Sequence, residues 1–417
     1  MFGDFALTRW VYGERAKQTQ ASVPLDARWQ LPASTYSSLL QEWTQALAVE
    51  FSLFAQVGDV LSRLLGLPVG VSALERMNRA MAETAERDWT ETAAAPAEAG
   101  DFLVISADGK GVPMRKPATT PPIAAHDGHR GPPQDRQKMA IVGTVYAAKA
   151  EVRTPDQVVN ARFRDPLEQT PRQKPDAHQA PMAKAVRASL THTGADGREV
   201  NARDVIFPWL REQVRQRDPT GQKPVVVVRD GQTCLWPDAQ AALGERSRVE
   251  ILDLLHVTEK LWDLVHIFDE PARQRFAMES DVALLLEGHV VELIVLFRHW
   301  AETRSLPGAG RKTVETVCGD FAANRERMRY DEYLAVGYPI ASGVIEGACR
   351  HVVKDRLERT GMHWTVSGAQ AMLKLRCIAI NGQWDEFTEY RLRKKSERLY
   401  PHKTLYEVED WPLQSAA

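Results

Sequence analysis

Residues 223–233 read KPVVVVRDGQT, and the four valines at 225–228 form the most strand-like run in the chain. An unbroken run of β-branched residues fits a strand buried on both faces. The run ends at Asp230-Gly231, and a second run of the same design, DFLVISADGKGV at 101–112, ends at Asp108-Gly109. Each is expected to be a buried strand that delivers an acid at its tip, where an open α/β sheet carries its site. Asp-Gly after a strand is also an ordinary turn. The acids are 230 − 108 = 122 residues apart, so they form one site only if folding brings them together.

Working outward, KMAIVGTVYAAK (138–149) reads as another strand, and one or two short strands are expected near Val152 to Phe163. The polar, Pro-containing region 165–200 shows no organisation. A helix is expected at 203–217, with Pro208 in its first turn or two, and a shorter one from Pro237 to Leu243. RVEILDLLHV (248–257) repeats the strand character and runs on as the helix TEKLWDLVHIFDE; residues 257–335 are almost wholly helical in period. Strands broken by helices on both sides of this block predict an α/β core with a helical insertion.

The N-terminal part is different. FALTRWVY reads as a strand or hairpin, and from Tyr36 the period changes to helical, closed by Gly66. Ser72 and Glu75 have the spacing of a capping box that starts a new helix. Helix, short Gly-containing turn, helix over 53–90 is the layout of a helix-turn-helix, though a plain helical hairpin has the same pattern. ETAAAPAEAG at 91–100 reads as a linker, and the Pro-rich, basic stretch 111–137 as a loop. The expected divisions are an N-terminal domain at 1–95, the first part of the α/β core at 101–256, a helical insertion at 257–335, a completing segment at 336–400 and a tail at 401–417.

Composition bounds the class. The chain has 417 residues, 44% of them hydrophobic and 26% charged, as expected for a folded protein of more than one domain. Its net charge of −2 argues against a nucleic-acid coat protein, but the charge is uneven, with a basic excess over 109–149 and a basic run RLRKKSER at 391–398. Four scattered cysteines without a C-x-x-C pair fit a reducing compartment. The most apolar segment, 282–300, contains Glu287, His289 and Glu292 and is too polar to span a bilayer, so a cytoplasmic protein is expected.

The third acid comes from GYPIASGVIEGACRHVVKDRLERTGMHW at 337–364. Here Glu346 is expected at a helix start between Gly343 and Gly347, whose lack of a side chain allows close backbone approach. Arg350 and Lys354 follow at i+4 and i+8 on the same face, and Gly361 ends the helix. Asp108, Asp230 and Glu346 are hard oxygen donors that suit Mg²⁺ or Mn²⁺ rather than Zn²⁺. Such a set can hold two ions, one at the attacking oxygen and one at the leaving oxygen of a phosphodiester.

VISADGK, VVVVRDG, LDLLHVTEKLW and the 337–364 segment, in this order, resemble the motifs of bacterial insertion-sequence transposases of the acid-triad (DDE), RNase H-like class, and most of all the Kra group. The resemblance covers residues 1 to about 400. It implies an RNase H-like mixed sheet, with the triad on the first strand, the fourth strand and a later helix, at Asp108, Asp230 and Glu346. It implies two Mg²⁺ (or Mn²⁺) ions, cleavage of the element's ends, and 3′-hydroxyl transfer into target DNA. The partners implied are double-stranded DNA, as terminal inverted repeats and target, and further copies of the chain on that DNA, in a nucleoid-associated location with no membrane. Asp253 competes for the second place; with His256 three residues on, it matches an acid-and-histidine pair of related transposases and takes a supporting role. Arg350, Lys354 and Arg359 are candidate phosphate contacts, and Trp364, beside His363, a candidate stacking platform. The alternatives are an RNase H-like nuclease without strand transfer and a non-catalytic DNA-binding remnant.

Overall fold

The computed structural model describes residues 6–14, 19–29, 31–51, 53–91, 100–115, 137–164, 181–194, 196–231, 235–359 and 361–400. The chain begins with β1 (Tyr12–Glu14), β2 (Thr19–Ser22), α1 (Pro24–Arg28), α2 (Ser38–Glu50), α3 (Phe54–Leu65) and α4 (Val71–Glu91). Next come β3 (Phe102–Pro113), β4 (Gln137–Ala148), α5 (Pro155–Arg162), β5 (Met182–Leu190), β6 (His192–Thr193), β7 (Glu199–Val200) and α6 (Ala202–Arg217). β8 (Val225–Arg229), α7 (Trp236–Leu243) and β9 (Arg248–Leu252) complete the strands. The helical block is α8 (Leu254–Phe268), α9 (Gln274–Leu286), α10 (Val290–Thr303), α11 (Gly308–Asn324) and α12 (Tyr330–Val336). Finally come α13 (Gly343–Cys349), a π-helical turn Arg350–Lys354, α14 (Asp355–Leu357), α15 (Val366–Ile380) and α16 (Trp384–Leu399).

Two compact units result: one of Met1–Thr92, Val112–Lys138 and Val352–Ala417, the other of Ala93–Gly111 and Met139–His351. The expected 336–400 segment is therefore divided at Val352. The divided segment holds two kinds of helix: α13 carries residues of the second unit, whereas α15 lies against α2 and α4.

The second unit is α/β, around a mixed five-stranded sheet ordered β5-β4-β3-β8-β9. β8 runs parallel to both β3 and β9, while β4 and β5 are antiparallel. All five residues of β8 are buried, as its valine run predicts. Its valines pack in one core with Ile206 and Leu210 of α6, Leu261 and Leu264 of α8, and Phe297 and Phe321 of the helices beyond. In the first unit α4 packs against α2, α3, α15 and α16, with Leu61, Leu74 and Met77 in the core. The helix-turn-helix layout at 53–90 is present as α3, a turn at Gly66 (φ 68°) and α4. However, α4 is flanked by four helices, which leaves a narrow exposed stripe at Ser72, Arg76, Ala80 and Glu83.

Several local expectations are corrected. β3 continues past Asp108-Gly109 to Pro113, so Asp108 lies within a strand and not at its tip. Residues 155–162 form α5 and not strands, because the Thr154 hydroxyl accepts from Gln157 N and Pro155 occupies the first turn. The unorganised 165–200 region contains β5, whose small residues in MAKAVRASL hid a strand that pairs with β4 from Ala140 to Ala147. Ser72 does not cap α4, which already begins at Val71 with the Gly70 carbonyl accepting from Ala73 and Leu74. α8 starts at Leu254 because the Asp253 carboxylate caps it. The Glu346 helix is not one α-helix to Gly361: it changes to a π turn at 350–354 and closes as α14 at Leu357. Most of the 111–137 loop, at 116–136, lies outside the described residues.

Candidate active site

One cavity of about 170 Å³ in the second unit is lined by Asp108, Asp230, Asp253, His256, Glu259, Ser342 and Glu346, together with Arg229. The three expected acids come from β3, the end of β8 and α13. Within the sheet, β3 is the first strand in sequence and β8 the fourth. Five carboxylates (Asp108, Asp230, Asp253, Glu259, Glu346) face one guanidinium, Arg229. The lining is thus strongly negative, a setting that attracts cations.

Each side chain has a local cause for its position. Val225–Val228 sink into the core and leave Asp230 at the first half-buried position after the strand. Arg229, 1% exposed, donates from Nε to the Ala107 carbonyl, which ties the end of β8 to the residue before Asp108. Asp108 Oδ1 accepts from Gly109 N, and its Oδ2 accepts from the Cys349 thiol at 3.5 Å. Burial, then the neighbouring Asp108 carboxylate, pushes the Cys349 thiol well above its ordinary range. It acts here as a neutral donor.

Asp253 is 2% exposed and almost fully engaged by the protein. Its Oδ1 accepts from Leu255 N at 3.1 Å and Ser342 N at 2.9 Å, and its Oδ2 accepts from Ser342 Oγ at 2.7 Å. Its own N–H donates to the Arg229 carbonyl at 2.7 Å. The residue therefore pins three segments: the end of β8, the start of α8 and the start of α13. On the same first turn of α8, His256 lies against Gly231, where a β-carbon would stand 2.5 Å from Nε2. The glycine required by close approach is thus Gly231. A β-carbon at Gly343 or Gly347 would meet nothing within 4 Å, contrary to the expectation for those positions.

Glu346 is exposed, and its carboxyl is held above the ordinary carboxylate range. Partial burial comes first, followed by the Asp253 charge, with Glu259 and Asp108 adding to it and a hydrogen bond from Ser342 acting in the opposite sense. Crowded carboxylates are a strain that a bound cation relieves. Among the described residues no three His, Cys, Asp or Glu side chains are already gathered as a metal cage. In donor chemistry alone, Asp108, Asp230 and Glu346 offer carboxylate oxygens, the kind of donor a hard divalent ion takes.

Of the candidate DNA contacts, Arg350 belongs to this unit and is exposed directly after α13. Lys354, Arg359 and Trp364 belong to the first unit; Lys354 and Arg359 are exposed there. Trp364 is half-buried, donates from its indole nitrogen to the Leu357 carbonyl, and meets Phe54 edge-on at 6.3 Å with the Arg356 guanidinium over its ring at 5.1 Å. With Phe54, Arg79, Arg115 and Arg356 it lines a separate cavity of about 490 Å³ within that unit.

Sequence reading missed Ser342, Glu259, Gly231 and Cys349 as parts of the site. Glu259 follows His256 at i+3 on one helix face, a spacing that could have drawn attention to it. Ser342 carries no such signal, because its partner Asp253 is 89 residues away. No helix among the described residues is long and apolar enough to cross a membrane. Compared with profiles of protein families and with curated proteins, the chain matches none.

Proposed function

We propose that the chain is a DNA transposase of an insertion sequence, built on an RNase H-like core, which cleaves the ends of its element and joins the freed 3′-hydroxyl to target DNA. The observation that carries this reading is the convergence of Asp108, Asp230 and Glu346 on one cavity. They arrive from the first strand, the fourth strand and a later helix of a mixed sheet, the arrangement implied by the resemblance at those residues.

Asp108, Asp230 and Glu346 would hold divalent Mg²⁺ or Mn²⁺, two ions in the full site, with Asp253 turned to structure by its three protein donors. Bound there, such ions supply an activated attacking oxygen and a stabilised leaving oxygen. The protein's own groups orient the acids: Cys349 restrains Asp108, Gly231 and His256 fix the backbone after Asp230, and Ser342 restrains Glu346. Arg229 offsets part of the carboxylate charge before any cation arrives. In cleavage, water forms one P–O bond as another breaks; in transfer, the 3′-hydroxyl does the same to the target, so neither step needs a redox partner. Exposed Arg350, Lys354 and Arg359 are suited to phosphates, which fix register without reading bases. Pairing two element ends would bring two or more copies of the chain together on DNA, in the nucleoid.

The test is cleavage of labelled DNA bearing the element's ends, with Mg²⁺ or Mn²⁺, by wild type, Asp108→Ala, Asp230→Ala, Asp253→Ala and Glu346→Ala at matched folding and DNA affinity. Calorimetric Mn²⁺ binding gives a second readout. Loss of both cutting and Mn²⁺ binding in the Asp108, Asp230 and Glu346 variants is expected. Cutting by Asp230→Ala with a dead but folded Asp253→Ala reverses the assignment of the second acid. A wild type that cuts without joining points to a nuclease, and one that binds ends without cutting points to a non-catalytic DNA-binding protein.

A further inference from the structure

Ser342 has no part in the triad, yet its hydroxyl stands between two of the cavity's acids. Oγ is 2.7 Å from Asp253 Oδ2 and 3.3 Å from Glu346 Oε1, and the residue is 6% exposed. A serine hydroxyl carries a single proton and can donate to one carboxylate at a time. Asp253 also receives the Ser342 and Leu255 N–H groups, so its charge remains well satisfied when the hydroxyl turns away. Glu346 has no comparable set: among the described residues the Ser342 hydroxyl is the hydrogen-bond donor to its carboxylate.

The backbone reinforces the link. Leu254 N donates to the Ile340 carbonyl at 2.9 Å, two residues before Ser342, and Asp253 N donates to the Arg229 carbonyl at 2.7 Å, one residue before Asp230. Asp253 therefore sets the separation between the end of β8 and the start of α13, the two segments that carry Asp230 and Glu346. Glu346 itself sits on the first turn of a seven-residue helix with an exposed face, a poor platform for a fixed rotamer without a tether.

Resting on the function proposed above, we infer that Ser342 is a positioning residue: it transmits the placement of Asp253 to Glu346, and its hydroxyl holds the Glu346 carboxylate aimed into the cavity. Groups that orient metal-binding carboxylates commonly change affinity or activity about 10- to 100-fold when removed.

The experiment compares wild type, Ser342→Ala and Ser342→Thr in the full chain, reading end cleavage, Mn²⁺ affinity, DNA-end affinity and thermal midpoint. Ser342→Ala is expected to lose about 10- to 100-fold in cleavage and to bind Mn²⁺ more weakly with DNA affinity unchanged, and Ser342→Thr, which keeps the hydroxyl, to recover most of both. Should Ser342→Ala not fold, Ser342→Cys replaces it as a near-isostere with a weaker donor and is expected to show a smaller loss in the same two readouts. A folded Ser342→Ala or Ser342→Cys that cuts and binds Mn²⁺ like wild type overturns the inference while leaving the transposase reading intact. The inference also falls if Ser342→Thr is as impaired as Ser342→Ala with both folded. A wild type that binds Mn²⁺ but never cuts defeats the functional reading alone, and Ser342 is then judged on Mn²⁺ affinity; one that does neither defeats both.

Discussion

His256 Nε2 lies where Gly231 leaves room for it: a β-carbon on Gly231 would stand 2.5 Å away, closer than real contacts allow. This fit joins the first turn of α8 to the backbone that follows Asp230. Gly231→Ala is expected to push the imidazole aside, to lower cleavage on the proposed function, and to destabilise the protein by about 1–3 kcal/mol, as overpacking does. Adding His256→Ala opens the space again, so the double variant should unfold closer to wild type than Gly231→Ala alone. Thermal unfolding of the four proteins of this cycle checks the coupling; additive effects would show that the contact is not what makes the glycine necessary.

Asp253 and Asp230 should differ in stability as well as in activity. Removing the Asp253 carboxylate deletes a helix cap, at about 1 kcal/mol, and leaves the buried Ser342 N–H short of its acceptor, at about 1–3 kcal/mol. Asp230 is half-buried in a cavity with four other carboxylates, so replacing its charge with the near-isosteric Asn amide relieves repulsion. Urea unfolding without divalent ions is expected to show Asp253→Ala clearly below wild type and Asp230→Asn equal to it or above. The reverse order would mean that the tether and ligand roles are exchanged.

Away from the site, Asp281 of α9 is 7% exposed, and burial, with the nearby Asp269 charge second, pushes its carboxyl up to about 7. A folded-state value above the unfolded one means that the neutral acid favours the fold. That stability is fully present below the unfolded value near 4 and is lost as pH rises through 7. Asp281→Asn removes the titration, so its thermal midpoint should exceed that of wild type at pH 8 and the gap should close toward pH 5. A constant gap across this range would rule out Asp281 as the source.

Arg356 and Arg359 are three residues apart and should respond in opposite ways. Arg356 is 1% exposed, donates to the Ala48 carbonyl at 2.8 Å and lies over the Phe54 and Trp364 rings. Its truncation is expected to destabilise the first unit by a few kcal/mol, about the scale of a lost buried hydrogen-bonded charge. Arg359 and Lys354 are exposed, so their alanine variants should fold normally and, on the proposed function, weaken DNA binding evenly across sequences. Each should lower the salt slope of binding by about 1. An unchanged slope would remove that residue from the phosphate contacts.

Strands and acids were legible where local chemistry decides them. A run of four valines favours a strand buried on both faces, so β8 and the placement of Asp230 after it follow from the sequence, as do the helical period of 257–335 and the turn at Gly66. Reading failed where the pattern was weak or overridden: β5 hides in small residues, α5 owes its form to a cap at Thr154, and β3 runs through an Asp-Gly pair that resembles a turn.

The sequence by itself determined which residues are chemically able to act, because a carboxylate, a glycine or a valine run carries its properties locally. Only the tertiary structure decided which acids share a cavity, that Asp253 is held by the Leu255 and Ser342 donors, and that Ser342 and Gly231 brace their neighbours. Those relations join residues far apart in the chain, up to 241 positions for Cys349 and Asp108, and no local pattern encodes a distance that packing alone creates.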